Sequence, residues 1–317
     1  MKMIINCMPR SVLSQEEADL LRELSSEEIV DLEKMSDAEG FYEKVEAVIP
    51  PFRYKAEDLA PMRNLKWVQS FSAGVNTHPL SYLKEKDIVL TNTRGVHGPQ
   101  MTDHIMGMIL AFSRDFLPAI RHQKERPWSY EYHLTELRGK ELLIVGAGSI
   151  GQLLAKKAKA FDMTVVGLKR TPEELQYFDQ VLPLEHMLSA METADYIVIL
   201  APLTKDTRGM VGEEAFQSMK KEAVLINLGR GPLVEEEALI RALKEGRIRG
   251  AGLDVFHKEP LPEESPLWDL ENVLLTPHLG GFSDGTNRRA VELMAENIKR
   301  FRQGEKLLNV VDLHLGY

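Results

Sequence analysis

Arg230, Glu259 and His278 each follow an apolar run in the second half of the chain. Arg230 stands in "AVLINLGRGPLV", Glu259 in "GAGLDVFHKEPLP" and His278 in "NVLLTPHLGG". A near-continuous apolar run reads as a strand covered on both faces. In an open α/β sheet, ligands gather beyond the carboxyl ends of such strands. The three residue types suit one reaction, the reduction of a 2-keto acid. Arginine presents a planar fork that matches a carboxylate. Histidine can hold a transferable proton near neutral pH. A neighbouring carboxylate orients the imidazole and favours its protonated form. Taken singly, Arg230 could close a loop, Glu259 could sit in a solvated turn and His278 could be structural. Together, at three strand ends, they read as catalytic residues.

A hydride source is still needed, and an earlier segment provides for it. "LLIVGAGSIGQLLAKKAKAF" carries Gly146, Gly148 and Gly151 in a G-x-G-x-x-G pattern. An apolar strand precedes it, a helical pattern follows, and a second strand, "MTVVGL", comes next. The first glycine permits the tight turn, the second lets backbone approach a pyrophosphate, and the third lets helix and strand pack closely. The helix start at Ser149 and Ile150 supplies free N–H groups and a favourable dipole to phosphates. About 20 residues beyond the turn, many NAD-binding chains place an acid for the ribose 2′-OH. Here that place is read as Leu168, followed by Lys169 and Arg170. Two cations without an acid suit a 2′-phosphate, so NADP(H) is the expected cofactor, with NAD(H) possible.

The wider pattern supports these placements. "MIINCM", "AVI", "WVQSF" and "DIVL" read as strands in the first part, separated by helical segments such as "SQEEADLLREL". Ser14 and Glu17 fit a capping box at the start of that helix. A long helical pattern runs from about Gln100 to Arg121, and a second strand–helix series starts at "ELLIVGAG". Alternation of this kind argues for parallel α/β sheets. The last helix, "GTNRRAVELMAENIKRFRQG", offers Leu293, Ile298 and Phe301 to an apolar side. The loop "SFSAGVNTHPL" is small and polar, and reads either as a plain connection or as a nest of N–H groups for an anion. Thr102 and Asp103 sit at a helix start, where capping is their simplest role. His104 reads as packing or as helix-surface polar, and His78, beside a proline, as a turn cap.

Composition bounds the function. The 317 residues allow about two domains. With 44% hydrophobic and 27% charged residues, the chain has the makeup of a soluble globular protein. The net charge of −9, from 39 basic and 48 acidic residues, argues against nucleic acid or an anionic membrane as a general partner. Cys7 is the single cysteine, which excludes an intrachain disulfide and points to a reducing compartment. No apolar run reads as a signal peptide or a membrane span, so a cytoplasmic location is expected. No His/Cys cluster has zinc spacing, and no metal is expected.

With these residues in view, the sequence resembles the D-isomer-specific 2-hydroxyacid dehydrogenases over essentially its whole length. The carrying motifs are "VGAGSIG", "LINLGRGPLV", "GAGLDVFHKEPLP" and "LLTPHLGG". The 29 residues from Arg230 to Glu259 and the 19 from there to His278 fit the family order. The resemblance implies a Rossmann dinucleotide-binding domain, about 98–288, inserted in a flavodoxin-like substrate-binding domain of residues 1–97 and 289–317. It implies a cleft active site and a homodimer. Arg230 would bind the substrate carboxylate or carbonyl, His278 would be the acid/base and Glu259 its partner. Ala73 and Gly74 would offer N–H groups to the carboxylate. Thr102, Leu228 and Asp254 match positions at the nicotinamide end, with His278 and Gly280 beside them. Leu200, Pro202 and Thr207 match the adenine-side loop.

Two departures from the family stand out. The acid of its NAD-preferring members is missing at Leu168, and its usual "AE" at the long helix start reads "TD" here. The formate-oxidising branch has glutamine as the histidine's partner, so Glu259 argues against formate. The expected function is NAD(P)H-dependent reduction of a small 2-keto acid of the glyoxylate or hydroxypyruvate class to the D-2-hydroxy acid, or its reverse. One alternative is a biosynthetic D-2-hydroxyacid dehydrogenase of another substrate. Another is a binding protein like the family's NAD(H)-sensing corepressors, which are longer. An intact triad and the short stretch after the last helix favour the enzyme. Phe52, Arg53 and Tyr54 are candidates to line the substrate pocket.

Overall fold

The computed structural model describes residues 2–75 and 77–313. The chain divides into two compact units, Met1–Val96 with Ser283–Tyr317, and His97–Phe282. Residues 283–288 group with the first unit. There Asn287 Nδ2 donates to Val12 O at 2.8 Å and, two residues on, Arg289 Nε donates to Val96 O at 3.0 Å.

The first unit is built on five parallel strands: β1 (Met3–Asn6), β2 (Ile29–Asp31), β3 (Val45–Ile49), β4 (Trp67–Gln69) and β5 (Val89–Thr91). Their order is β2-β1-β3-β4-β5, the flavodoxin-like arrangement. Strand alternation divides the core between the two faces. Ile4 packs with Leu13, Leu21, Val291, Met294 and Ile298 on one side, and Ile5 packs with Val48, Val68 and Leu90 on the other. The helix Gln15–Ser25 starts in the expected capping box: Glu17 N donates to Ser14 Oγ at 3.2 Å, and Ser14 N donates to Glu17 Oε2 at 2.8 Å. The helix Thr286–Gln303 lays Val291, Met294 and Ile298 on this core, with Leu293 and Phe301 partly buried against it. Cys7 is buried, and burial pushes its thiol up to about 12, so it behaves as a small hydrophobe.

His78 is the one strongly perturbed imidazole among the described residues. It is 8% exposed, and burial pushes its pKa down to about 4. An unfolded chain binds that proton below about 6.5. Between the two values the unfolded state holds more protons, so stability falls as pH drops from about 6.5 to about 4. Urea midpoints measured across this window should decline less in His78→Asn than in the wild type. Parallel declines would remove His78 from the acid lability.

The second unit holds seven parallel strands: β6 (Glu141–Val145), β7 (Thr164–Leu168), β8 (Gln180–Leu182), β9 (Tyr196–Ile199), β10 (Val224–Asn227), β11 (Gly250–Leu253) and β12 (Val273–Leu275). The order is β12-β11-β10-β9-β6-β7-β8. The chain winds outward in both directions from the adjacent pair β6 and β9. Their carboxyl ends therefore form the switch point at which doubly wound sheets bind ligands. Both faces are covered: Leu142 and Ile144 join one core cluster, Leu143 and Val145 the other. The helical stretch read from 100 to 121 is two helices, Gly98–Ser113 and Phe116–Glu125. The break lies at Asp115, whose φ is +54. Its carboxylate accepts from Arg249 Nη2 at 3.2 Å and from His133 N at 2.8 Å, which anchors the corner.

Candidate active site

The glycine turn joins β6 to the helix Ser149–Lys159. Gly146 has φ +111, and a Cβ there would lie 2.7 Å from the backbone at Leu200 and Ala201. Only glycine fits both demands. A Cβ at Gly151 would meet the Gly146 carbonyl oxygen at 2.7 Å, so that glycine lets the helix press on the turn. Gly148 is different: a Cβ would meet nothing within 4 Å, and the residue is exposed, as is Ser149. The first intrahelical bond from the turn runs from Gln152 N to Gly148 O at 2.9 Å. The N–H groups of Ser149, Ile150 and Gly151 thus lie at the open helix end, beside unfilled space. A pyrophosphate fits this cradle.

The strand after the turn corrects one expectation. Leu168 was read as standing where the ribose arrives, yet its side chain is 0% exposed and packs in the core with Val145, Val166 and Ile199. Side chains alternate along a strand, so residue 168 shares the inward face of 166. The first side chain beyond the strand to reach solvent is Lys169, which forms an ion pair with Glu173. Arg170 follows and is exposed.

The ends of β10, β11 and β12 carry the second group. Asp254, only 2% exposed, ends the β11 run. Its Oδ1 accepts from Thr276 Oγ1 at 2.6 Å and Leu279 N at 2.8 Å, and its Oδ2 accepts from Gly280 N at 2.9 Å. These bonds grip the segment around His278, whose φ is +55. That left-handed conformation is unfavourable for a non-glycine residue and needs such support. Gly280 has no room for a side chain, because a Cβ would lie 2.7 Å from Leu228 and 2.9 Å from Asp254 Oδ2. The resulting loop holds the His278 ring half exposed, with Nδ1 2.7 Å from Glu259 Oε2. Glu259 Oε1 accepts from Phe256 N at 3.0 Å.

Arg230 completes the group. Its Nη1 donates to Gly229 O at 2.7 Å, and the residue is exposed. Gly231 brings this loop against the next one, since a Cβ on it would lie 2.0 Å from the Phe256 carbonyl carbon. Partial burial pushes the Glu259 carboxyl up. The His278 hydrogen bond, the Phe256 N–H and the charges of His278 and Arg230 more than offset it, so its pKa lies below the usual carboxylate value. Glu259 is an anion at neutral pH, with Arg230 and His278 beside it.

Other candidate residues are placed differently. Thr102 is fully buried in its helix, and its hydroxyl donates to Gly98 O at 2.8 Å. Thr207 Oγ1 accepts from Thr204 N at 2.8 Å and donates to Pro202 O at 2.7 Å, which closes the loop after β9. Leu200 is half-buried and Pro202 exposed in that loop, whereas Leu228 is buried under Gly280. His104, expected as packing or as helix-surface polar, joins the Asp254 network: its Nε2 is 3.0 Å from Thr276 Oγ1. Thr276 was not singled out from sequence. Its signal was the "TP" between an apolar run and His278.

In the first unit, the loop after β4 has three successive carbonyls tied back. Ser72 O accepts from Thr93 N at 3.2 Å, Ala73 O from Asn92 Nδ2 at 2.8 Å and Gly74 O from Ser72 Oγ at 2.7 Å. In a trans peptide the N–H points opposite to the preceding carbonyl. The N–H groups of Ala73, Gly74 and Val75 are thereby turned away from these anchors, a geometry suited to an anion. Of the candidate pocket residues, Phe52 and Arg53 are exposed, whereas Tyr54 is buried with its hydroxyl 2.8 Å from His78 Nδ1.

Comparison with known proteins agrees with this architecture. Residues 106–280 match the family model described as D-isomer specific 2-hydroxyacid dehydrogenase, NAD binding domain. A glyoxylate reductase of Korarchaeum cryptofilum is 34% identical over 289 residues, spanning 89% of this chain and 85% of its own. A glyoxylate/hydroxypyruvate reductase of Arabidopsis thaliana is 37% identical over 262 residues, 81% of each chain. A crystal structure of a D-isomer specific 2-hydroxyacid dehydrogenase from Xanthobacter autotrophicus, in complex with NADPH and MES, superposes with a TM-score of 0.88 at 30% identity, covering 100% of this chain and 99% of that one. The chain belongs to the D-isomer-specific 2-hydroxyacid dehydrogenases, oxidoreductases that work with NAD(P).

Proposed function

We propose that the protein reduces a small 2-keto acid of the glyoxylate or hydroxypyruvate class to the D-2-hydroxy acid, with NADPH preferred to NADH. The observation that carries this reading is the 2.7 Å bond from His278 Nδ1 to the Glu259 carboxylate, beside Arg230. That bond occupies Nδ1, which leaves Nε2 to serve the substrate. Bound nicotinamide supplies the hydride to the keto carbon. His278 Nε2 gives its proton to the carbonyl oxygen as that oxygen gains negative charge. Glu259 keeps the imidazole oriented and compensates its positive charge. Arg230 pairs with the carboxylate or the carbonyl oxygen, and the N–H groups of Ala73 and Gly74 take up the carboxylate. The glycine turn and the open helix start at Ser149 and Ile150 hold the pyrophosphate.

The names of the relatives support the substrate class, since glyoxylate and hydroxypyruvate reductases recur among them. A panel of glyoxylate, hydroxypyruvate, pyruvate and longer 2-keto acids, each with NADPH and NADH, tests the reading. Glyoxylate and hydroxypyruvate should lead in kcat/KM. Tight cofactor binding without turnover of any of them would instead support an NAD(H)-sensing role.

The protein is further proposed to act as a cytoplasmic homodimer. One stretch of the second unit exposes Phe116, Ile120, Trp128, Tyr130 and Leu134, with Trp128 at 88% and Tyr130 at 86%. Large apolar side chains concentrated on one segment mark an association surface. Sedimentation equilibrium should show a dimer at micromolar concentration, and Trp128→Asp should weaken it by at least about tenfold. A wild type that sediments as a monomer would refute the assembly.

A further inference from the structure

The buried Tyr54, His78 and Ser70 take no part in the chemistry above, yet they lie directly under the loop 71–75. Tyr54 Oη is 2.8 Å from His78 Nδ1, and His78 Nε2 is 3.0 Å from Ser70 Oγ. Tyr54 and His78 also meet edge to face, with ring centroids 5.3 Å apart. Ser70 Oγ lies 3.1 Å from both Ser72 O and Ser72 Oγ, and accepts from Ser72 N at 3.1 Å. Ser72 Oγ then donates to Gly74 O at 2.7 Å.

Proton counting fixes the direction of this chain. The Ser72 hydroxyl proton is committed to Gly74 O, a pure acceptor. Ser70 must therefore spend its own proton on Ser72, whose carbonyl and hydroxyl oxygens both face it. With that proton used, Ser70 Oγ can only accept from the histidine, so His78 carries its hydrogen on Nε2. Nδ1 is then an acceptor and Tyr54 its donor. Burial keeps the ring neutral, so a single tautomer serves. Reversing the chain would leave both Ser70–Ser72 oxygen contacts without a proton, whereas the forward direction supplies one. The proton direction thus runs from Tyr54 through His78 and Ser70 to Ser72, and the chain ends on the Gly74 carbonyl, whose inward turn points the Val75 N–H the other way.

We propose that Tyr54 and His78 are positioning residues for substrate binding: through Ser70 and Ser72 they hold the Ser72 and Gly74 carbonyls inward and so keep the Ala73 and Val75 N–H groups set for the substrate carboxylate. The proposal rests on the reading of Ala73 and Gly74 as carboxylate binders. It differs from a packing role because the loop depends on one hydroxyl proton at the far end of the chain. Tyr54→Phe removes that proton and almost no volume.

Two measurements test it without depending on turnover. Long-range proton–nitrogen correlation spectra of the wild type should show His78 neutral with hydrogen on Nε2, and hydrogen on Nδ1 would overturn the chain. Calorimetry with oxalate, a dianionic mimic of a 2-keto acid, should show Tyr54→Phe binding about fivefold more weakly than wild type, the loss of roughly one net hydrogen bond. Ser72→Ala should lose at least as much, and neither change should alter NADPH affinity. In steady state the same variants should raise the keto-acid KM by a similar factor and leave kcat near wild type. Unchanged oxalate affinity in Tyr54→Phe overturns the proposal, as does a wild type that does not bind oxalate or a parallel fall in NADPH affinity. A wild type that binds oxalate but reduces no 2-keto acid refutes the reductase reading and leaves the positioning role standing.

Discussion

His278→Ala is expected to lower kcat for the keto acid by about 10²–10⁴-fold, the range of a positioned general acid, while NADPH affinity stays close to wild type. The expectation follows from where the ring is held. Its Nδ1 is fixed on Glu259 at 2.7 Å, and its backbone, at φ +55, is gripped by three bonds to Asp254. That much local order goes into aiming one nitrogen, Nε2. Alanine keeps the loop anchors, since those bonds involve the Thr276 hydroxyl and the N–H groups of Leu279 and Gly280. The lost rate then reports the proton donor and not the loop. Glu259→Gln should retain part of the activity, because an amide oxygen can still accept from Nδ1–H but brings no charge. Glu259 is held below the usual carboxylate value, so the anion is present throughout a neutral assay range and is lost only as pH falls through that lowered value. Stopped-flow turnover and fluorescence titration of NADPH on His278→Ala measure the two quantities separately. Near-wild-type turnover on the best substrate would remove His278 from the chemistry.

The grouping of Arg230, Glu259 and His278 was legible in sequence because each member follows a strand that is almost wholly apolar. Strands β10, β11 and β12 are covered on both faces, so a polar residue at their ends stands out. The glycine turn was legible for a related reason: Gly146 and Gly151 answer separate steric demands at fixed spacing. Strands β2 and β8 were not legible. Each is three residues long and carries a polar residue, Asp31 in β2 and Gln180 in β8, whereas the equally short edge strand β12 is wholly apolar. Asp115 hid the helix break, because the apolar periodicity runs on across it while its side chain bonds to the distant His133 N and Arg249. The Asp254 grip on residues 276–280 and the Tyr54–His78 chain were equally hidden. Both join residues far apart in sequence, and no local pattern marks a hydrogen bond across 22 or 24 positions. Leu168 shows a finer limit. Counting residues from the glycine turn located the end of the second strand, but only burial shows which of two adjacent side chains faces inward.

That one-residue difference sharpens the cofactor prediction. With Leu168 in the core, Lys169 occupies the first outward position after β7, where an acid would accept bonds from a ribose 2′-OH. A cation there has nothing to offer a hydroxyl pair that an acid would not offer better, but it is well matched to a 2′-phosphate. Lys169 is engaged by Glu173 four residues on. A partly exposed pair of this kind is worth about 0–1 kcal/mol. A charge-assisted bond to phosphate contributes about 1.5–3 kcal/mol, so the lysine can exchange its partner with a net gain. Arg170, next in the chain, adds a planar fork. The wild type should therefore show kcat/KM at least about tenfold higher with NADPH than with NADH at equal ionic strength. Arg170→Ala should erode that ratio and leave NADH kinetics nearly intact. Lys169→Asp should move it further, by about 100-fold in favour of NADH, because it removes one phosphate partner and adds a like charge beside the phosphate. Raising salt should shrink the wild-type preference, since the discriminating contacts lie at an exposed edge and are screened. Steady-state kinetics with both cofactors on the three proteins decide the matter. A wild type that favours NADH by tenfold would mean that these two cations do not clamp a 2′-phosphate, and that the absence of an acid after β7 has no bearing on cofactor choice.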